Sequence, residues 1–174
     1  KPDVSVITNI NYAHAKNFRN IRQIALAKSE IINNTKINGS IVLNADDNFY
    51  TLHKKIAHKR KLKILSFGIY NQNANIKLIS IKKIANKFKA TIRINNLKTY
   101  FFISNNFQSN ILNILAALTV MSIFLDISKL KKNIFIGFKI PNGRGDITKI
   151  KINNKKLNLI DESYNSNPLS LKSA

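Results

Sequence analysis

Lys28 stands where a charge is least expected. At about 100° per residue, a helical wheel places Ile21, Ile24, Ala25, Ile31 and Ile32 all within about 60° of it. A lysine in the middle of an apolar stripe has two explanations. Its stem packs while the ammonium escapes to water, or burial lowers its pKa and leaves a neutral, reactive amine. His14 ends the polar stretch that follows the first apolar run. That is where α/β folds present ligand-binding groups, although a lone histidine is also often structural or simply exposed. Asn110 and Asn113 are three apart on an otherwise apolar segment, so on a helix their amides share a face. Buried, they need partners; a helix cap is the competing role for Asn110. Arg144 between Gly143 and Gly145 puts a guanidinium on a flexible turn, suited to phosphate or to plain solvation. Asp161-Glu162 is a carboxylate pair that could take ribose hydroxyls or a metal, or cap the turn at Ser163.

The elements that must carry these groups alternate. Val4 to Thr8, Ser40 to Leu43 and Lys63 to Phe67 read as short strands. Phe18 to Ile32, with apolar residues at three- and four-residue steps, and Phe49 to His58 read as the helices between them. That order implies a parallel sheet covered by helices. Ala74 to Ile81, Ala90 to Ile94 and Thr99 to Ile103 follow as antiparallel strands. A long helix runs from Phe107 to about Leu125, and a shorter amphipathic one is expected over Ser128 to Phe138. Pro141-Asn142-Gly143-Arg144-Gly145 holds three of the eight Gly and Pro residues and marks a linker, placed at 141–146. Beyond it, Ile147 to Ile152 and Lys156 to Ile160 form a hairpin around Asn153-Asn154 that opens a second domain, 147–174.

Composition bounds the function. With 44% hydrophobic residues in 174, the chain can build a packed core. The 29 Lys and Arg against 8 Asp and Glu give a formal charge of +21, which by itself suggests nucleic acid or an anionic surface. The excess is spread along the whole chain as Lys, Asn and Ile, however, and the aromatics form no base-stacking run. The absence of Cys excludes disulfides and thiolate metal sites and fits a reducing compartment. The longest apolar run, Ile114 to Ile127, is broken by Thr119, Ser122 and Asp126, too short and too polar to span a bilayer. No signal peptide is visible. A start without Met and an end just after a helix-like start suggest a chain cut at both ends.

The order of the motifs supports a resemblance. Pro2-Asp3-Val4-Ser5-Val6-Ile7-Thr8-Asn9-Ile10, then Ala13-His14, then Ile24-Ala25-Leu26-Ala27-Lys28-Ser29-Glu30-Ile31, resembles the central domain of the Mur ligases. Val42-Leu43-Asn44-Ala45-Asp46-Asp47, Asn110 to Ala117, and Gly143-Arg144 resemble later segments of the same family. Asp161-Glu162-Ser163-Tyr164-Asn165-Ser166-Asn167-Pro168 is similar to the branch that adds D-alanyl-D-alanine to UDP-N-acetylmuramoyl-tripeptide.

This resemblance implies a three-layer α/β ATPase domain over 1–140, truncated at its start. Its sheet is mostly parallel with a small antiparallel segment, and the first strands of a Rossmann-like C-terminal domain follow. It implies a cytoplasmic monomer using ATP and Mg2+, with no nucleic-acid partner and no membrane insertion. His14 and Lys28, the latter as a carbamate, would bind the magnesium ion and act in catalysis. Asn113 would contact adenine, Arg144 the phosphates and Glu162 the ribose, while Tyr164, Asn165 and Asn167 would line the nucleotide. ATP would convert the tripeptide's carboxylate to an acyl phosphate, which the dipeptide amine then attacks.

Three departures from the family pattern are visible. None of the five glycines lies in a Gly-rich Gly-Lys-Thr/Ser loop, Glu162 stands where Asp is usual, and Ser109 where His is common. The phosphate loop is expected before Lys1, so the chain alone is expected to be inactive. A Mur ligase for a different amino acid, or a degenerate non-catalytic remnant, are the alternative readings.

Overall fold

The computed structural model describes residues 1–12, 18–137, 143, 146–153 and 155–161. Six strands form one mixed sheet in sequence order: β1 Val4–Ile7, β2 Ser40–Asn44, β3 Lys63–Gly68, β4 Ile76–Ile84, β5 Lys87–Ile94 and β6 Leu97–Ile103. The first four run parallel and the last three are joined antiparallel. β2 shows why the first half is parallel. Every one of its five residues is buried, because helices cover both of its faces.

On one face lie α1 Ile21–Lys28, α2 Glu30–Asn34 and α3 Tyr50–Lys59. Ile24, Ala25, Ile32 and Ala57 from these helices pack on Ile41 and Leu43. On the other lies α4 Gln108–Met121, whose Ile111, Leu115 and Leu118 pack on Val42, Phe67, Ala90 and Phe101. The result is three layers, helices–sheet–helix, with a separate apolar core on each side of the sheet. A two-stranded hairpin, β7 Asp146–Ile152 and β8 Lys155–Asp161, follows with its ends paired Asp146 to Asp161.

Several elements differ from the sequence expectation. The helix expected over Phe18 to Ile32 is two: Asn20 caps α1 through its side chain on the Gln23 amide, and Ser29 separates α1 from α2. Ser29 turns its hydroxyl back onto the Leu26 carbonyl at 2.6 Å, the local competition that bends helices at serine. The antiparallel strands β4, β5 and β6 are all longer than expected. Over the described part of the expected Ser128 to Phe138 helix there is no α-helix, only a 3-10 turn, Ile127–Lys129, followed by turns. There, the Lys132 carbonyl accepts the Phe102 amide at 2.7 Å and so extends the sheet edge. A carbonyl used that way cannot serve a helix. Most of the expected linker, at 141, 142, 144 and 145, lies outside the described residues.

Candidate functional site

Because β1, β2 and β3 are parallel and in register, the segments after them emerge along one sheet edge. Side chains from the end of β2 tie those segments together. The Asn44 amide donates to the Thr8 carbonyl at 3.0 Å, and its oxygen accepts the Asp46 amide at 2.9 Å. Asp47 accepts from the Ile10 amide and from the Phe49 amide, both at 2.8 Å. Asp46 reaches the other way, accepting from the backbone amides of Ile69 at 2.5 Å, Tyr70 at 3.2 Å and Asn71 at 2.7 Å. Gly68 permits that wrap, since a Cβ there would meet Asp46 Oδ1 at 2.9 Å.

Lys28 ends α1 beside this edge. Its amine donates to the Asn9 carbonyl at 3.2 Å. The two line a cleft of about 520 Å3 together with Thr8, Glu30, Ile31 and Asn34. The expectation of a lysine inside the buried stripe is corrected here: Lys28 is exposed, and Ile31 is 40% exposed. The stripe that packs is Ile24, Ala25, Ser29 and Ile32. Lys28 shares that side of the wheel, but it reaches Asn9, which lies past the last residue of β1. Of the two readings, the amine at the surface is the one the fold shows.

Asn113 is exposed on α4, so its amide needs no buried partner. Asn110 is half-buried and donates to the Asn105 side chain at 3.1 Å; the N-cap is Phe107, which corrects the capping role considered for Asn110. Lys28 and Asn113 ride on helices that cover opposite faces of the sheet. His14, Arg144, Glu162, Tyr164, Asn165 and Asn167 lie outside the described residues.

The residues that sequence reasoning gave no role are Asn44, Asp46 and Asp47. Their signal was available: an adjacent carboxylate pair at a strand end in an acid-poor chain, the same argument applied to Asp161-Glu162. The two carboxylates held below their usual range, Asp3 by its hydrogen bond with Lys36 and Asp126 by that of Ser128, belong to neither the cleft nor the β2 cluster.

Among the described residues no group of three or more His, Cys, Asp or Glu could hold a metal ion. The cleft does present oxygen-bearing groups from Thr8, Asn9, Glu30 and Asn34, the donor type a hard cation takes. A carbamate on Lys28 would add two more. With that modification the cleft would offer the donor type that magnesium takes.

A family model described as the Mur ligase middle domain matches residues 1–121. The chain belongs to the Mur ligase family. It is 31% identical over 178 residues to UDP-N-acetylmuramoyl-tripeptide–D-alanyl-D-alanine ligase of Rickettsia prowazekii, covering 100% of this chain and 38% of that relative. It is 32% identical over 127 residues to UDP-N-acetylmuramate–L-alanine ligase of Borreliella afzelii, covering 72% of this chain and 26% of that one. The MurF ligase of Thermotoga maritima, solved in complex with ADP, superposes with a TM-score of 0.79 at 25% identity over 99% of this chain and 38% of its own. The six-stranded mixed sheet with helices on both faces is thus the Mur ligase middle-domain fold, and the chain spans under two fifths of these relatives' length.

Proposed function

We propose that this Mur ligase chain belongs to an enzyme that joins D-alanyl-D-alanine to UDP-N-acetylmuramoyl-tripeptide at the expense of ATP, in peptidoglycan synthesis. One observation carries the choice within the family. The likeness to the D-alanyl-D-alanine ligase of Rickettsia extends over the whole chain, whereas the likeness to the L-alanine ligase of Borreliella covers 72% of it. The enzyme would work in the cytoplasm as a monomer, with a nucleotide-linked peptide and a dipeptide as partners rather than nucleic acid or membrane.

In the proposed reaction, the terminal carboxylate of the tripeptide takes the terminal phosphoryl group of ATP. The dipeptide amine then attacks the acyl carbon, loses a proton and expels phosphate. A protein serving such a transfer acts mainly by positioning and by neutralising charge. Lys28 as its carbamate, together with His14, would hold magnesium, whose chemistry is to neutralise phosphate oxygens. Asn113, free on the surface of α4, would contact adenine. Arg144 would meet the phosphates, Glu162 the ribose, and Tyr164, Asn165 and Asn167 the rest of the nucleotide. The hairpin β7–β8, beyond a linker at 141–146, would open the closing C-terminal domain.

The test is product formation by the full-length protein given ATP, UDP-N-acetylmuramoyl-tripeptide and D-alanyl-D-alanine. The pentapeptide product is expected by mass spectrometry, and Lys28→Ala is expected to lower kcat about 100-fold or more, the scale of removing one electrostatic group that acts on the transferring phosphoryl group. The 174-residue chain alone is expected to release no phosphate, because it contains no Gly-rich phosphate cradle. Product with UDP-N-acetylmuramate and L-alanine instead would overturn the substrate assignment. No product with any substrate pair would leave a non-catalytic remnant.

A further inference from the structure

Among the described residues, Asn9 gives Lys28 its one hydrogen bond through a backbone carbonyl, which no substitution can remove directly. What can be removed is whatever aims that carbonyl. The residue before it, Thr8, is held through its own carbonyl by the Asn44 amide at 3.0 Å. The residue after it, Ile10, is held through its amide by Asp47 Oδ2 at 2.8 Å. Both holders come from the end of β2. Asn44 is 6% exposed, and Asp47 has its second oxygen on the Phe49 amide, so neither side chain is free to swing. The peptide planes on either side of Asn9 are therefore fixed from a rigid strand end.

We propose that Asn44 and Asp47 are positioning residues: by clamping Thr8 and Ile10 they hold the Asn9 carbonyl where it orients the Lys28 side-chain nitrogen at the mouth of the cleft. This rests on the reading of Lys28 given above and adds a consequence to it. When the neutral amine attacks dissolved CO2, an N–C bond forms and one proton leaves nitrogen for solvent. The product, –NH–COO⁻, keeps one N–H. That hydrogen can still be donated to Asn9, so the same carbonyl that orients the amine orients the plane of the carbamate. A second-sphere acceptor of this kind is what fixes the direction of a metal-binding group.

The experiment uses the full-length protein and two readouts. The first is the acetylation rate of Lys28 relative to exposed Lys59, read by peptide mass spectrometry. The second is the carbamate carbon resonance in 13C-bicarbonate, assigned by its loss in Lys28→Arg. In Asp47→Ala and Asn44→Ala the relative labelling is expected to rise, and the carbamate signal to fall, each about five-fold, the worth of one hydrogen bond. Asp47→Asn, which keeps one acceptor oxygen, is expected to recover most of both.

Asp46→Asn separates positioning from general loosening. It weakens the neighbouring wrap around residues 69–71 but makes no side-chain bond to Thr8 or Ile10, so it is expected to leave both readouts unchanged. Wild-type values in folded Asp47→Ala and Asn44→Ala would overturn the proposal, as would an equal change in Asp46→Asn. Absence of a carbamate resonance in the wild type removes the carbamate reading alone, and the labelling rates then decide the positioning by themselves.

Discussion

At the scale of single residues, Asp46 commits both carboxylate oxygens to one turn. Three consecutive amides, Ile69 to Asn71, converge on it, and Gly68 leaves the space. Removing the carboxylate leaves those amides to find water or remain unmet. Asp46→Ala is therefore expected to cost about 2–4 kcal/mol, the range for losing several bonds to a half-buried charged acceptor, and Asp46→Asn distinctly less. Urea unfolding checks it, and a cost under about 1 kcal/mol for the alanine variant would mean that water satisfies the turn. Asp46 also shows what residue types in a sequence disclose and what they withhold. The Asn-Ala-Asp-Asp run could be noticed, but its partners lie 23 to 37 residues away, so its role depends on strand register. For Lys28 the sequence left two readings open, and its exposure favours the surface amine. Its angular position on the wheel was right, but its depth was left open, because a wheel carries no information about where the facing strand ends.

The elements were more legible. Ser40 to Leu43 reads as a short strand of a parallel sheet and is one; the other short strands, the helices between them and the antiparallel trio stand in the expected order. What periodicity could not disclose were backbone bonds made elsewhere: the Ser29 hydroxyl on the Leu26 carbonyl, and the Lys132 carbonyl used by Phe102. The helix α4 divides its labour by face. Leu118 is fully buried against the sheet while Asn113 is exposed. Leu118→Ala is expected to destabilise the protein by about 3 kcal/mol or more through lost burial and an unfilled cavity. Asn113→Ala is expected to shift stability by less than about 0.5 kcal/mol, as surface changes do. Thermal melts of both variants test the division. A large loss from Asn113→Ala would mean that its amide serves the fold rather than a ligand.

For the whole molecule, charge is the dominant unbalanced term. Between Asp47 and Asp126 there is no acidic residue and there are thirteen Lys and Arg. The fold relieves some of this locally. Lys87 lies over the Phe102 ring at 3.8 Å and Lys89 over Tyr100 at 4.2 Å, on the outer face of β5 and β6. Such contacts lend each amine a partially negative surface but leave the net charge at +21. The ion pairs Lys36–Asp3 and Lys129–Asp126 are exposed and so add little. Self-repulsion of this size penalises the compact state, and it is long-ranged, so screening should relieve it. Sodium chloride is the appropriate probe because sulfate or phosphate would also strengthen apolar burial. Raising it from about 0.02 to 0.5 M shortens the screening length from about 20 Å to about 4 Å. The melting temperature is expected to climb over that range by several degrees. A flat or falling curve would mean that the ring contacts and exposed pairs, which the same salt weakens, outweigh the repulsion among the lysines.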